Sequence, residues 1–280
     1  MRLTDTHAHL YWPDFQKDFD EILQRAKDAG VTNLINVGVD VEKSKEALRQ
    51  AQGKLSNVSG LTIYSSIGIH PEEAPKYNSD ESIHKDMAEL EQIYLSDPSK
   101  VSAAGECGLD YSPQWVPTPQ AKQLQRKLFQ AQIDLAKKLH LPLLVHCRDD
   151  RSQNPANSEA WDEVLEMVGN HPTILHCYSG LSKTTQKVLK NPNLIVSFAS
   201  TLTYPANDYL REAAKILPLD RIVLETDCPF LPPQSKRGTR NEPANVVEVA
   251  QTIADIKGIS LEEVANQTTK NAFVIFNLKD

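Results

Sequence analysis

Leu3-Thr4-Asp5-Thr6-His7-Ala8-His9 is a short β-forming run that ends in polar, metal-competent side chains, and a helical pattern over Phe15–Ala29 follows it. The same unit recurs along the chain. With Arg2–His7 as the first strand, the others are Asn33–Val37, Thr62–Ile69, Val101–Glu106, Pro142–Cys147, Thr173–Cys177, Leu194–Ala199 and Arg221–Thr226. Apolar residues at helical spacing fill the intervals at Val41–Ala51, Glu81–Leu95, Thr118–Leu139, Ser158–Val168, Lys183–Lys190 and Asn207–Ile216. Two more helices close the chain, Pro243–Ile256 and Leu261–Phe276, the second entered by the capping-type Ser260-Leu261-Glu262-Glu263. Each return to a parallel strand needs a crossover, so eight such units predict an α/β fold, a TIM (β/α)8 barrel with an extra C-terminal helix. An open doubly wound sheet competes with it, but the strand count favours closure. No linker divides residues 1–280, and one domain is expected.

Composition bounds what such a barrel can do. With 30 Lys+Arg against 37 Asp+Glu, the net charge of −7 argues against coating nucleic acid by bulk charge, though not against handling a few phosphates locally. Arg2 and Asp5 stand where an apolar export signal would begin, and the uncharged runs are broken by Ser, Asn and Pro. A cytoplasmic, non-membrane protein is expected, and a monomer for want of any interface signal. Cys107, Cys147, Cys177 and Cys228 show no CxxC pairing.

The chemistry gathers at strand ends. Alternation along a strand places Asp5, His7 and His9 on one face. The fourth strand ends at Glu106, the fifth at His146, the sixth at His176, and the eighth runs into Asp227. In a barrel the carboxyl ends converge on one mouth, so these side chains predict a metal centre there. A catalytic zinc uses three protein ligands and keeps an open position, so His7, His9, Glu106, His146, His176 and Asp227 suffice for two ions. Glu106 is the natural bridge and Asp227, a carboxylate beside the activated water, the natural general base. Each cysteine directly follows one of these ligands and is expected to face the strand–helix layer as an inert buried thiol.

Other residues are assigned by position. His70, in Gly68-Ile69-His70-Pro71, ends a strand and is a candidate for substrate contact, whereas His84, His140 and His171 fit surface or structural roles. Arg148, two residues after His146, points toward the same mouth and suits a phosphate or oxyanion. The basic run Ser235–Asn241 makes Arg240 a further substrate-binding candidate.

Taken together, Asp5–Leu10, Gly68–Pro71, Gly105–Tyr111, His176–Gly180, Glu225–Leu231 and Arg240–Pro243 resemble the TatD family of metal-dependent deoxyribonucleases, in order and over essentially the whole chain. The resemblance implies a TIM-barrel hydrolase of the amidohydrolase superfamily whose ligands map onto His7, His9, Glu106, His146, His176 and Asp227. It also implies DNase activity, often as a 3′-to-5′ exonuclease on single-stranded DNA with magnesium. The loops Ser112–Pro119 and Asp149–Asn157 depart from the family pattern and bear on substrate size and end preference.

The expected function is therefore phosphodiester hydrolysis at DNA ends by a metal-activated water. The alternative is an amidohydrolase-type enzyme acting on a small ester, amide or aminoacyl end with the same centre. Four imidazoles suit zinc, manganese or iron by ligand softness, whereas magnesium prefers oxygen; Mg2+, Mn2+ and Zn2+ stand as the leading candidates.

Overall fold

Eight strands lie side by side in chain order, every pair parallel: β1 (Leu3–Ala8), β2 (Val31–Asn36), β3 (Thr62–Ile67), β4 (Val101–Asp110), β5 (Leu143–Arg148), β6 (Thr173–Leu175), β7 (Leu194–Phe198) and β8 (Ile222–Leu224). The helices between and after them are α1 (Phe19–Asp28), α2 (Val41–Ala51), α3 (Asp80–Ser96), α4 (Pro119–Leu139), α5 (Glu159–Val168), α6 (Ser182–Lys190), α7 (Asp208–Ile216), α8 (Val246–Lys257) and α9 (Leu261–Ile275). This computed structural model describes residues 1–53, 58–116 and 118–279; Pro117, within the Ser112–Pro119 loop, lies outside the described residues.

The helices start where the sequence supplies caps. Asp40, Ser79, Thr118 and Ser260 each accept a backbone N–H three residues on, from Lys43, Ser82, Ala121 and Glu263. Two expected helices are shorter than their apolar pattern. Pro13–Phe15 forms a separate 3-10 turn before α1, and Pro243–Asn245 another before α8.

Closure occurs past the end of β8. His7 O accepts from Asp227 N at 2.9 Å, and Cys228 O accepts from His9 N at 2.9 Å, with a bridge pairing Ala8 and Cys228. The seam of the barrel is thus sewn by the backbone of three candidate ligands. At the opposite end, α9 hydrogen-bonds the strand starts, Asn271 Nδ2 donating to Ile222 O and Thr269 Oγ1 to Arg2 O. Phe276 and Leu278 then pack with Ile35, Tyr64, Ala103, Leu144, Ile174 and Val223 to fill the barrel interior. The larger apolar cluster lies between strands and helices.

Two register shifts decide what faces inward. In β4, Ala104 pairs with Leu143 but Cys107 with Val145, so β4 carries one extra residue at Gly105-Glu106. Cys107 and Leu109 consequently join the strand–helix core with Val145 and Cys147, while Glu106, Gly108 and Asp110 take the inner face. Gly108 has φ +133°, and a Cβ there would stand 2.0 Å from His146 O. In β1, Asp5 pairs with Leu34 and Ala8 with Asn36, another extra residue. That shift separates Asp5 from His7 and His9, against the expectation of a shared face.

Candidate metal centre

Five imidazoles and two carboxylates converge at the carboxyl end of the barrel. His7 and His9, at the end of β1, bring their Nε2 atoms to 3.2 Å of each other. Oε2 of Glu106 lies 3.3 Å from His7 Nε2 and 3.9 Å from His9 Nε2. Asp227 Oδ1 lies 3.4 Å from His9 Nε2 and 3.8 Å from His7 Nε2. The other oxygen of Glu106, Oε1, faces a second group: His146 Nδ1 at 3.3 Å, His176 Nε2 at 3.5 Å and His70 Nε2 at 3.5 Å. Ligand bonds of about 2.0–2.2 Å to one ion place neighbouring donor atoms about 3–3.6 Å apart. His7, His9 and one oxygen of Glu106 come close to that spacing, and the other oxygen stands at it from His146, His176 and His70 in turn. Glu106 belongs to both, one oxygen to each.

Outer partners fix which nitrogen every ring but that of His7 presents. His9 Nδ1 lies 3.2 Å from Val37 O, and Tyr11 shares that carbonyl through its hydroxyl, which leaves Nε2 for the centre. His146 Nε2 is held 2.9 Å from Asp110 Oδ2. His176 Nδ1 lies 2.9 Å from Glu225 Oε1, which also accepts Cys177 N–H at 2.7 Å. His7 Nδ1 is buried without a hydrogen-bond partner, its ring stacked on that of His176 at 3.5 Å. His70 differs from the rest: its Nδ1 accepts Glu72 N–H, so its proton sits on Nε2, turned toward Glu106. It suits donation to a substrate oxygen better than metal ligation.

The electrostatics follow from burial and mutual contact. Burial alone would raise the Glu106 carboxyl, but His70, His7 and His176 around it hold it well below the usual range. Burial likewise opposes ionisation of Asp110, and the bond from His146 together with Ser112 overcomes it and holds that carboxyl low. Asp227 is lowered against its burial by the bond from His9. Burial pushes the neutral His70 down to about 3. Against their burial, the carboxylates favour protons on His9, His146 and His176 in the metal-free cluster. A buried set of carboxylates and imidazoles held by outer partners matches the donors of a divalent-cation site, where an ion would take the place of those protons.

Other expected residues are distributed differently. Arg148 lines the cavity, about half exposed, with Nη1 3.7 Å from Asp110 Oδ2. Arg240 is engaged elsewhere, its guanidinium bonded to both oxygens of Asp18 at 2.8 and 2.6 Å and lying over the Phe15 ring. Asp5 accepts from the backbone N–H and hydroxyl of Thr226, positioning the segment that leads to Asp227, and its burial pushes its carboxyl up to about 8. Cys107 and Cys228 are fully buried as expected, but Cys177 is half-buried and lines the cavity. β6 ends at Leu175, and Cys177 takes φ +39°, so strand alternation no longer governs its direction.

Sequence reasoning assigned no role to Asp110 or Glu225, the two orienting carboxylates, although both stand in quoted motifs. Their signal is a second acid a few residues from a ligand. Trp12 and Phe230, aromatic walls of the cavity, were also missed; each stands three residues after a candidate ligand. The cavity encloses about 650 Å3.

The profile of TatD-related DNases matches residues 4–277. The chain is 36% identical over 276 residues to YabD of Bacillus subtilis, named an uncharacterized metal-dependent hydrolase, with 99% of each chain covered. It is 34% identical over 275 residues to the human deoxyribonuclease TATDN3, covering 98% of this chain and 94% of the relative. Among solved structures, the TatD homologue YjjV of Escherichia coli superposes with a TM-score of 0.82 at 27% identity, covering 99% of each.

Proposed function

The chain belongs to the TatD-related DNase family, and from that premise we propose that this metal-dependent hydrolase shortens single-stranded DNA from its 3′ end, in the cytoplasm, with two divalent ions: Mg2+, Mn2+ or Zn2+. The observation that carries the reading is the division of Glu106, one oxygen toward His7 and His9, the other toward His146 and His176. His7, His9, Glu106 and Asp227 would hold one ion, and Glu106, His146 and His176 the other. When bound, such ions polarise a phosphoryl oxygen and make water acidic enough to attack at neutral pH.

The chain's own residues do the remaining work. Asp227, 13% exposed at the cavity, takes the proton of the attacking water. His70 donates Nε2–H to a phosphate oxygen, and Arg148 pairs with the charge that builds on the others. Asp110 and Glu225 keep His146 and His176 in their working orientation. A cavity of about 650 Å3 suits a ligand of one or two nucleotides, which supports attack at a strand end.

The test is to incubate metal-stripped protein with end-labelled single-stranded DNA, adding magnesium, manganese or zinc in turn, with Asp227→Ala alongside. Stepwise shortening that needs the ion, spares a 3′-blocked strand and vanishes in the variant is expected. A protein that binds metal but cleaves no DNA overturns the proposal in favour of a small ester or aminoacyl substrate.

A further inference from the structure

We propose that Trp12 and Phe230 form a stacking platform for the unpaired nucleobase next to the scissile phosphate. The inference rests on the nuclease reading above and names the residues that set a preference for single-stranded ends. The two rings meet edge to face, centroids 5.3 Å apart, and both line the metal cavity. Each also lies against the imidazole of His9, Phe230 at 5.9 Å and Trp12 at 6.0 Å between centroids. A phosphate seated at His9 and Asp227 therefore has an aromatic surface about one sugar's width away.

Both aromatics are placed by the chain in the same manner. Trp12 N donates to His9 O at 3.1 Å and Phe230 N to Asp227 O at 2.9 Å, so each stands one tight turn beyond a ligand. Asn241 Nδ2 donates to Phe230 O at 2.7 Å, and Phe15 N to Trp12 O at 3.0 Å, fixing both backbones. Yet Phe230 is 41% exposed and joins neither apolar cluster of the described residues, while Trp12 packs on the larger one from its edge. Phe230, held in a turn at the cavity and outside both apolar clusters, presents a ring surface that the core does not cover. Every base offers a π-face, so stacking tolerates any sequence, and a base paired within a duplex must first leave its stack to reach the platform.

The experiment compares a fluorescein-labelled single-stranded oligonucleotide with the same strand whose last two 3′ nucleotides are abasic. Binding is read by anisotropy with metal-free and with calcium-loaded protein, and cleavage by rates with manganese, for wild type, Trp12→Ala, Phe230→Ala and Phe230→Leu. Melting curves confirm folding, and the leucine variant, which keeps bulk without a π-face, carries the test if the alanine variants do not fold. Expected is a loss of about tenfold in affinity for the normal strand in the variants, with no change for the abasic strand, which wild type already binds weakly. Equal loss on both strands, no loss on either, or no binding at all overturns the platform. Cleavage without discrimination between the strands sinks the platform and leaves the nuclease reading standing. Discriminating binding without cleavage under any ion does the reverse.

Discussion

Asp110 holds His146 by Nε2 at 2.9 Å and so leaves Nδ1 as the nitrogen facing Oε1 of Glu106, 3.3 Å away. A carboxylate behind an imidazole fixes its tautomer and makes the free nitrogen a better donor. Asp110→Ala is therefore expected to weaken metal binding by about 10- to 100-fold, measured by competition with a chromogenic chelator. Affinity equal to wild type would mean that Asp110 serves only the Ser112 turn it also caps.

The β4 bulge makes a second claim testable. Gly108→Ala places a methyl 2.0 Å from His146 O on a backbone with φ +133°, a region L-residues avoid. A loss of more than about 2 kcal/mol in denaturant melts is expected. Metal content should fall with it, because Glu106 and Asp110 share the same inner register. A variant of native stability with full metal content would show that the bulge does not constrain the centre.

Arg240 belongs to a surface network away from the cavity. Its bond, with help from Arg25, holds the Asp18 carboxyl at about 2, below its usual 3.8. A lowered folded-state value stabilises the fold above about pH 4, and the contribution disappears as pH falls from there toward 2. With Asp18 and Arg240 each about 30% exposed, solvent screening limits the effect to about 1 kcal/mol or less. Arg240→Ala should reduce stability at pH 7 by about that amount and by less near pH 2, where most of the Asp18 contribution is gone and the contacts to Phe15 and Asp14 O remain, with DNA cleavage unchanged. A tenfold loss of cleavage with intact stability would return Arg240 to the substrate.

Salt dependence reports how many phosphates are held. Among the described residues lining the cavity, Arg148 is the one Arg or Lys. The slope of log affinity for single-stranded DNA against log salt should therefore be shallow, roughly −1 to −2 in calcium-loaded protein, and less steep by about 0.7 in Arg148→Ala. A slope near −6 would require a basic track outside this cavity.

The residues themselves announced most of the architecture. Eight β-rich runs alternating with helical patterns are a local signal, because apolar periodicity follows from which face each element buries. Among the described residues, eight strands and nine α-helices lie where that periodicity put them, to within a few residues at their ends. The convergence of the six candidate ligands was legible for a related reason: parallel strands all point one way, so side chains at their carboxyl ends must meet. The motifs around them also marked the family.

What periodicity could not supply was parity across a bulge, which depends on the neighbouring strand. Asp5 reads as a partner of His7 in the sequence, yet an extra residue in β1 turns it to Thr226. Cys177 reads as a buried thiol, yet the early end of β6 sends it to the cavity. Arg240 reads as a substrate-binding candidate, yet Asp18, 222 residues away, engages it. Local pattern and strand direction were enough to set the fold class and to nominate the candidate metal donors. Which acid orients which histidine, and which aromatic stays open, depended on the folded barrel, because those pairings join segments that the chain separates and the barrel brings together.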